Sequence, residues 1–188
     1  MEVIIVEWEK VNVNFFLNGK MNDGINNRPE EYGLYQIYSS HLIYGPNSLV
    51  YIGKAYDQPI LKRLKSHNDY WFNEESDEVT VYIGKLIVER LQFELLSKEE
   101  IDKIWRKQVD DAEKLLIFNC APAYNSNSIV DHRIENKDLI LFNYGKRGQL
   151  PLELSTLYDN SVYWHEGNGG ELTKKSDYIE NIYNEKKK

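Results

Sequence analysis

Arg63, His67 and Glu113, with tyrosines at 35 and 51, are the residues whose types and spacing could do chemistry. Arg63 carries a planar guanidinium that can hold a phosphate through two parallel hydrogen bonds and stays charged at any working pH. His67 follows four residues later, so on a helix both side chains project from one face. Such a histidine could orient a bound anion or relay a proton. Tyr35 closes the tripeptide Gly33-Leu34-Tyr35, and Tyr51 opens the run Tyr51-Ile52-Gly53-Lys54-Ala55. Taken singly, none of these residues announces catalysis. Tyrosine occurs 14 times, and Arg63 stands between Lys62 and Lys65 as it would on the exposed face of any short helix. The order of the residues carries the information.

The elements that must position them are outlined by the patterning. Segments 3–8 (VIIVEW) and 12–17 (NVNFFL) are β-branched and aromatic and read as two strands, able to form a hairpin. Residues 19–31, rich in Gly, Asn and Pro, read as a loop. Strands follow at 32–38 and 49–53, separated by a polar loop around Tyr44-Gly45-Pro46-Asn47. A turn at 55–58 leads into a helix over 58–68, with Pro59 in its first turn and Ile60, Leu61 and Leu64 as its apolar stripe. Residues 78–91 alternate as a long strand. Ser97 and Glu100 have the spacing of a capping box. Ile101, Ile104, Trp105, Ala112, Leu115 and Leu116 then predict a helix over 98–118 that stops before Pro122. Further on, only 139–143 reads as a strand, and the Lys-tipped end reads as a polar tail.

Composition narrows the classes. At 188 residues and 22.2 kDa the chain fits one domain with a sizeable core, and the strands and helices read above make it α+β. No apolar run approaches the roughly 18 residues that span a bilayer, which implies no membrane partner. The opening MEVIIVEWEK brackets a short apolar stretch with acids and reads as a strand rather than a signal peptide. A single cysteine, Cys120, excludes an intrachain disulfide and a Cys-based zinc site, and points to a reducing cytoplasm. The net charge of −7 is unusual for a protein that grips phosphates. Within it, residues 33–72 are the one net-positive stretch, with Lys54, Lys62, Arg63 and Lys65 against Asp57 and Asp69.

Gly33-Leu34-Tyr35, Tyr51-Ile52-Gly53-Lys54-Ala55, Arg63, His67, Glu113 and Pro122-Ala123-Tyr124-Asn125 follow one another in an order that resembles the GIY-YIG nuclease family. The resemblance covers about residues 32–126. It implies a small three-stranded antiparallel sheet flanked by helices, with 1–31 and 127–188 as N- and C-terminal elaborations of that core. The 15 residues between the tripeptides (36–50) imply an extended hairpin loop containing Pro46. A second Tyr-Ile-Gly, at 82–84, has no upstream partner at a suitable distance and is read as a decoy.

The resemblance implies hydrolysis of phosphodiester bonds, with one of Tyr35 or Tyr51 as general base for the attacking water. A phenol needs a nearby cation to act so at neutral pH, and Lys54 is the candidate, although strand alternation turns it away from Tyr51. Glu113 would hold Mg²⁺, with Mn²⁺ as a substitute, since this ion takes one or two carboxylates and keeps several waters. Arg63 would hold the phosphate and His67 would orient it or relay a proton. Lys62, Lys65 and Asn125 are the expected substrate contacts, Asn125 more as an anchor of the surrounding loop. Asp110 and Asp111 are expected to be solvated, with either able to reach metal-bound water.

No zinc finger or helix-turn-helix accompanies the core, so the chain is most similar to the stand-alone GIY-YIG restriction endonucleases. That implies double-stranded DNA as substrate and a homodimer, because cutting both strands of a palindrome needs two sites related by a twofold. It also implies a cognate DNA methyltransferase protecting the same site. Asn127, His132, Arg133, Lys146 and Arg147, in the C-terminal elaboration, are candidates for reading bases. Two other classes stay open: a structure-specific repair or mobile-element nuclease, and a DNA-binding or interaction module without catalysis.

Overall fold

The computed structural model describes residues 2–12, 32–67, 79–87, 96–125 and 138–156, with the side chains of Lys65 and His67 excepted, all inside the unit Met1–Leu157. In chain order its elements are β1 (Glu2–Asn12), β2 (Gly33–His41), β3 (Gly45–Ala55), α1 (Ile60–His67), β4 (Thr80–Ile87), α2 (Lys98–Cys120), β5 (Leu139–Gly145) and β6 (Glu153–Ser155). The strands form one sheet in the order β3-β2-β4-β1-β5-β6. All neighbours are antiparallel except β1 and β5, which run parallel.

The α+β class holds, but the expected three-stranded sheet is corrected to a six-stranded mixed one. The antiparallel trio β3-β2-β4 is there, and the flanking segments widen it rather than standing beside it. β1 buries Ile4, Val6 and Trp8 on one face, and β5 continues that face with Leu139 and Leu141. Local pattern supplies a strand's propensity but not its partner. A parallel partner more than 130 residues away leaves no trace in either segment.

Among the described residues, each face of the sheet buries one helix. α2 lays Val109, Ala112, Leu115 and Leu116 against Ile4, Val6, Trp8, Leu34 and Ile52. α1 lays Ile60 and Leu64 against Tyr35, Ile37, Val50, Val81 and Ile83 on the opposite face. α2 starts as its sequence predicts: Ser97 Oγ accepts from Glu100 N–H, and the Glu100 carboxylate accepts from Ser97 N–H at 2.8 Å. It ends two residues beyond the expected 118, where Ala121 turns left-handed (φ 44°) ahead of Pro122.

Two local expectations change. β1 runs unbroken to Asn12 where two strands were expected, and residues 13–17 lie outside the described residues. The expected loop between the tripeptides is strand almost throughout, with a turn only at 42–44. Pro46 therefore sits in β3, on the sheet's edge, where its missing N–H breaks no ladder. The decoy Tyr-Ile-Gly also has a structural reason. Gly84 faces Trp8 across the β1–β4 ladder, and a Cβ there would come within 2.7 Å of the indole ring.

Candidate active site

β3 is the terminal strand of the sheet, and α1 and α2 pack on it from opposite faces. The tyrosines are set by the β2–β3 register, with Tyr35 opposite Gly53 and Ile37 opposite Tyr51. Both rings therefore lie on the α1 face, 5.9 Å apart between centroids and inclined at 30°. Gly53 makes this packing possible. A Cβ at that position would stand 2.5 Å from Tyr35 Cζ and Oη and 2.7 Å from Tyr51 Cε1. Tyr35 is fully buried, whereas Tyr51 lines a cleft.

Arg63 comes from the first turn of α1, where the Pro59 carbonyl accepts from Lys62 and Arg63 N–H at 3.0 and 3.1 Å. Its guanidinium donates to the Tyr35 hydroxyl and also interacts with Tyr51. On the other face Ile52 and Lys54 point toward α2. There the Lys54 ammonium meets Asp110 Oδ1 at 2.6 Å and Glu113 Oε2 at 2.8 Å. The cleft between these groups, about 400 Å³, is lined by Tyr51, Lys54, Tyr56, Lys62, Arg63 and Glu113 among others.

The electrostatics separate the groups. Burial pushes the Tyr35 phenol well above the ordinary tyrosine range and Tyr51 pushes it further, while Arg63 opposes. Tyr51 is also raised, first by burial and then by the charge of Glu113, with Tyr35 and Arg63 opposing. Glu113 is raised by burial, against the pull of Lys54. Burial works against the Lys54 ammonium, yet hydrogen bonds to Asp110 and Glu113 hold it above the usual lysine range.

Of the residues singled out from the sequence, Tyr35, Tyr51, Lys54, Lys62, Arg63 and Glu113 are brought together. The side chains of Lys65 and His67 lie outside the described residues, as do Asn127, His132 and Arg133. Lys54 is not the cation beside the phenols; Arg63 is, because alternation sends Lys54 to the α2 face and two carboxylates capture it. Asn125 is an anchor and not a cleft residue. Its amide accepts from Ile52 N–H and donates to the Ile52 carbonyl, both at 2.8 Å, replacing the missing neighbour of the edge strand. Asp110 and Asp111 are not simply solvated: Asp110 joins Lys54, and buried Asp111 accepts from Lys107 at 2.6 Å.

The rim that sequence reasoning missed centres on Tyr56. Lys54 Nζ lies 5.7 Å and Arg106 Cζ 4.9 Å from its ring centroid, and Arg106 bonds Asp57 and Asp102, each at 2.7 Å. A signal for it was present in the sequence. Arg106, Asp110 and Glu113 follow at i, i+4 and i+7, one face of a helix.

No helix among the described residues is long and apolar enough to cross a membrane. No protein-family model, no curated protein and no solved structure matches this chain.

Proposed function

We propose that this chain is a metal-dependent endonuclease that hydrolyses phosphodiester bonds of duplex DNA, as its resemblance to the GIY-YIG nucleases implies. The observation that carries the reading is the meeting of Tyr51, Arg63 and Glu113, from β3, α1 and α2, in one open cleft. Buried Tyr35, bonded to Arg63, stands behind them.

Arg63 grips the non-bridging oxygens of the scissile phosphate, and exposed Lys62 beside it takes an adjoining phosphate. Tyr51 accepts the proton of the attacking water. It is preferred to Tyr35 because it reaches the cleft, while Tyr35 is sealed beneath it and serves to aim the guanidinium. The site also fits a divalent cation. Asp110 and Glu113 converge on a single positive charge, the Lys54 ammonium, and one or two carboxylates with waters is the donor set that Mg²⁺ takes. Glu113, with Asp110, would hold Mg²⁺ or Mn²⁺; when bound, the ion supplies positive charge to the phosphate and the leaving oxygen.

Site-specific restriction by a homodimer, with a methyltransferase protecting the same sequence, is the finer form of this reading. Plasmid cleavage in Mg²⁺ or Mn²⁺, comparing the native chain with Glu113→Ala and Arg63→Ala, tests it. Discrete fragments lost in both variants are expected. A smear lost in both keeps the nuclease and removes restriction, as does a preference for flaps or nicks. Supercoiled plasmid that survives every metal removes the nuclease, and retained DNA binding would then make the chain a binding module.

A further inference from the structure

The turn between β2 and β3 is built from the wrong residues for a turn. Leu42, Ile43 and Tyr44 occupy it, with relative exposures of 105%, 82% and 65%. Turns ordinarily take Gly, Asn, Asp, Ser or Pro for reasons of backbone geometry. Here those residues come just afterwards, where geometry needs them: Gly45 and Asn47 have φ of +85° and +52°. Nothing in the backbone asks for Leu and Ile at the tip, and full exposure of two aliphatic side chains is unfavourable in water.

The tip is also held in shape. His41 Nδ1 accepts from Ile43 N–H and Tyr44 N–H, both at 3.3 Å. The His41 ring stacks on Tyr44 at 4.9 Å and meets Tyr124 edge-on at 5.8 Å. An apolar tip presented in a fixed conformation is ready to enter something. Beside it runs the β5–β6 turn, which carries Lys146 and Arg147 and is bonded to the same hairpin. Gln149 N–H donates to Tyr38 Oη, and Gln149 Nε2 donates to the Asn47 carbonyl, each at 2.9 Å.

We propose that Leu42 and Ile43 form an apolar wedge that enters between stacked base pairs of duplex DNA, with Lys146 and Arg147 holding the flanking phosphates. The proposal rests on the nuclease reading and adds a second contact to it. Aliphatic side chains inserted at a base step, next to cations on the backbone, are a recurrent way to kink or unwind a duplex. A lipid surface is a poorer fit, because two side chains give too little buried apolar area for anchoring.

The test needs no knowledge of a recognition sequence. Relaxed plasmid is incubated with the full chain and a metal-independent topoisomerase I in EDTA, and the topoisomers are then resolved. The native chain shifts the distribution toward unwinding. The double variant Leu42→Ser/Ile43→Ser abolishes the shift and binds plasmid roughly tenfold more weakly by filter binding, with unchanged melting temperature. An equal shift from both proteins at matched occupancy overturns the wedge. So does binding without any shift while Mg²⁺-dependent cleavage is retained, and in that case the nuclease reading stands. Absence of DNA binding and cleavage removes both readings. Binding to phosphatidylglycerol–phosphatidylcholine vesicles, or self-association in the ultracentrifuge, that is lost in the double variant overturns the DNA wedge in favour of lipid or a second copy.

Discussion

Tyr51 and Tyr35 differ by access to the cleft, not by residue type, since their hydroxyls interact with each other and both with Arg63. Tyr51 reaches the cleft, and Tyr35 lies beneath it with its hydroxyl on Arg63. On the proposed nuclease reading Tyr51 is the general base; removing one costs typically 10²- to 10⁴-fold in rate, so Tyr51→Phe should lose at least about a hundredfold of plasmid cleavage. Tyr35→Phe keeps the base and loosens only the aim of the guanidinium, and the expected loss is roughly tenfold. Single-turnover cleavage rates measure both, and the reverse ranking would assign the base to Tyr35. Lys54 illustrates how one residue can be anticipated for the site and still do another task. It was a candidate for lowering a phenol, but it holds two carboxylates of α2 together across the sheet's edge.

Elements place these side chains through contacts that glycine permits. In β3, Gly53 adopts ordinary strand geometry, and its role is to leave room for the ring of Tyr35 and the edge of Tyr51. Gly53→Ala would force Cβ into both rings, one of them fully buried, and overpacking of this kind typically costs about 1–3 kcal/mol. A urea titration should show a lower midpoint at unchanged slope. Cleavage should fall by more than the unfolded fraction explains, since Tyr51 must move. If stability and rate are both unchanged, the rings are not packed on Gly53. On the edge of β3, Asn125 bonds both backbone groups of Ile52, and Tyr124 N–H donates to the Val50 carbonyl at 2.8 Å. The segment after α2 thus substitutes for a strand, closing an edge that could otherwise pair with another chain.

At the scale of the molecule, the cleft makes stability fall in alkali. Tyr35 and Tyr51 are raised by burial, and Lys54 is raised by its two carboxylates in spite of burial. A group whose pKa is higher folded than unfolded contributes stability that is complete below its unfolded value, about 10 for Tyr and 10.4 for Lys, and lost as pH rises toward the folded one. Above about pH 10 the unfolded chain releases protons that the folded chain retains, and each such group contributes a slope of up to about 1.4 kcal/mol per pH unit. Glu113, raised by burial, acts lower on the scale: its contribution weakens as pH rises through the ordinary carboxylate range. The melting temperature should therefore drop steeply from pH 10 to 11, and Tyr35→Phe should make that drop shallower. An identical slope in the variant would mean that the buried phenol does not hold its proton.

Much of this was legible in the residues. The capping box at Ser97, the helix behind it, the strands carrying both tripeptides and the short helix of Arg63 rest on local periodicity and turn chemistry, which any segment carries within itself. The ordered set of Tyr35, Tyr51, Arg63 and Glu113 was legible too, because it is written in spacing. Only the tertiary structure decided that β1 would stand between β4 and β5 and that Lys54 would answer to α2. It also decided that Asn125 would close the edge of the sheet and that Tyr51, not Tyr35, would meet the cleft. Those outcomes depend on contacts between residues tens to more than a hundred positions apart. Hydrogen-bonding and packing partners at such distances are selected by the assembled sheet and not by any stretch of chain alone.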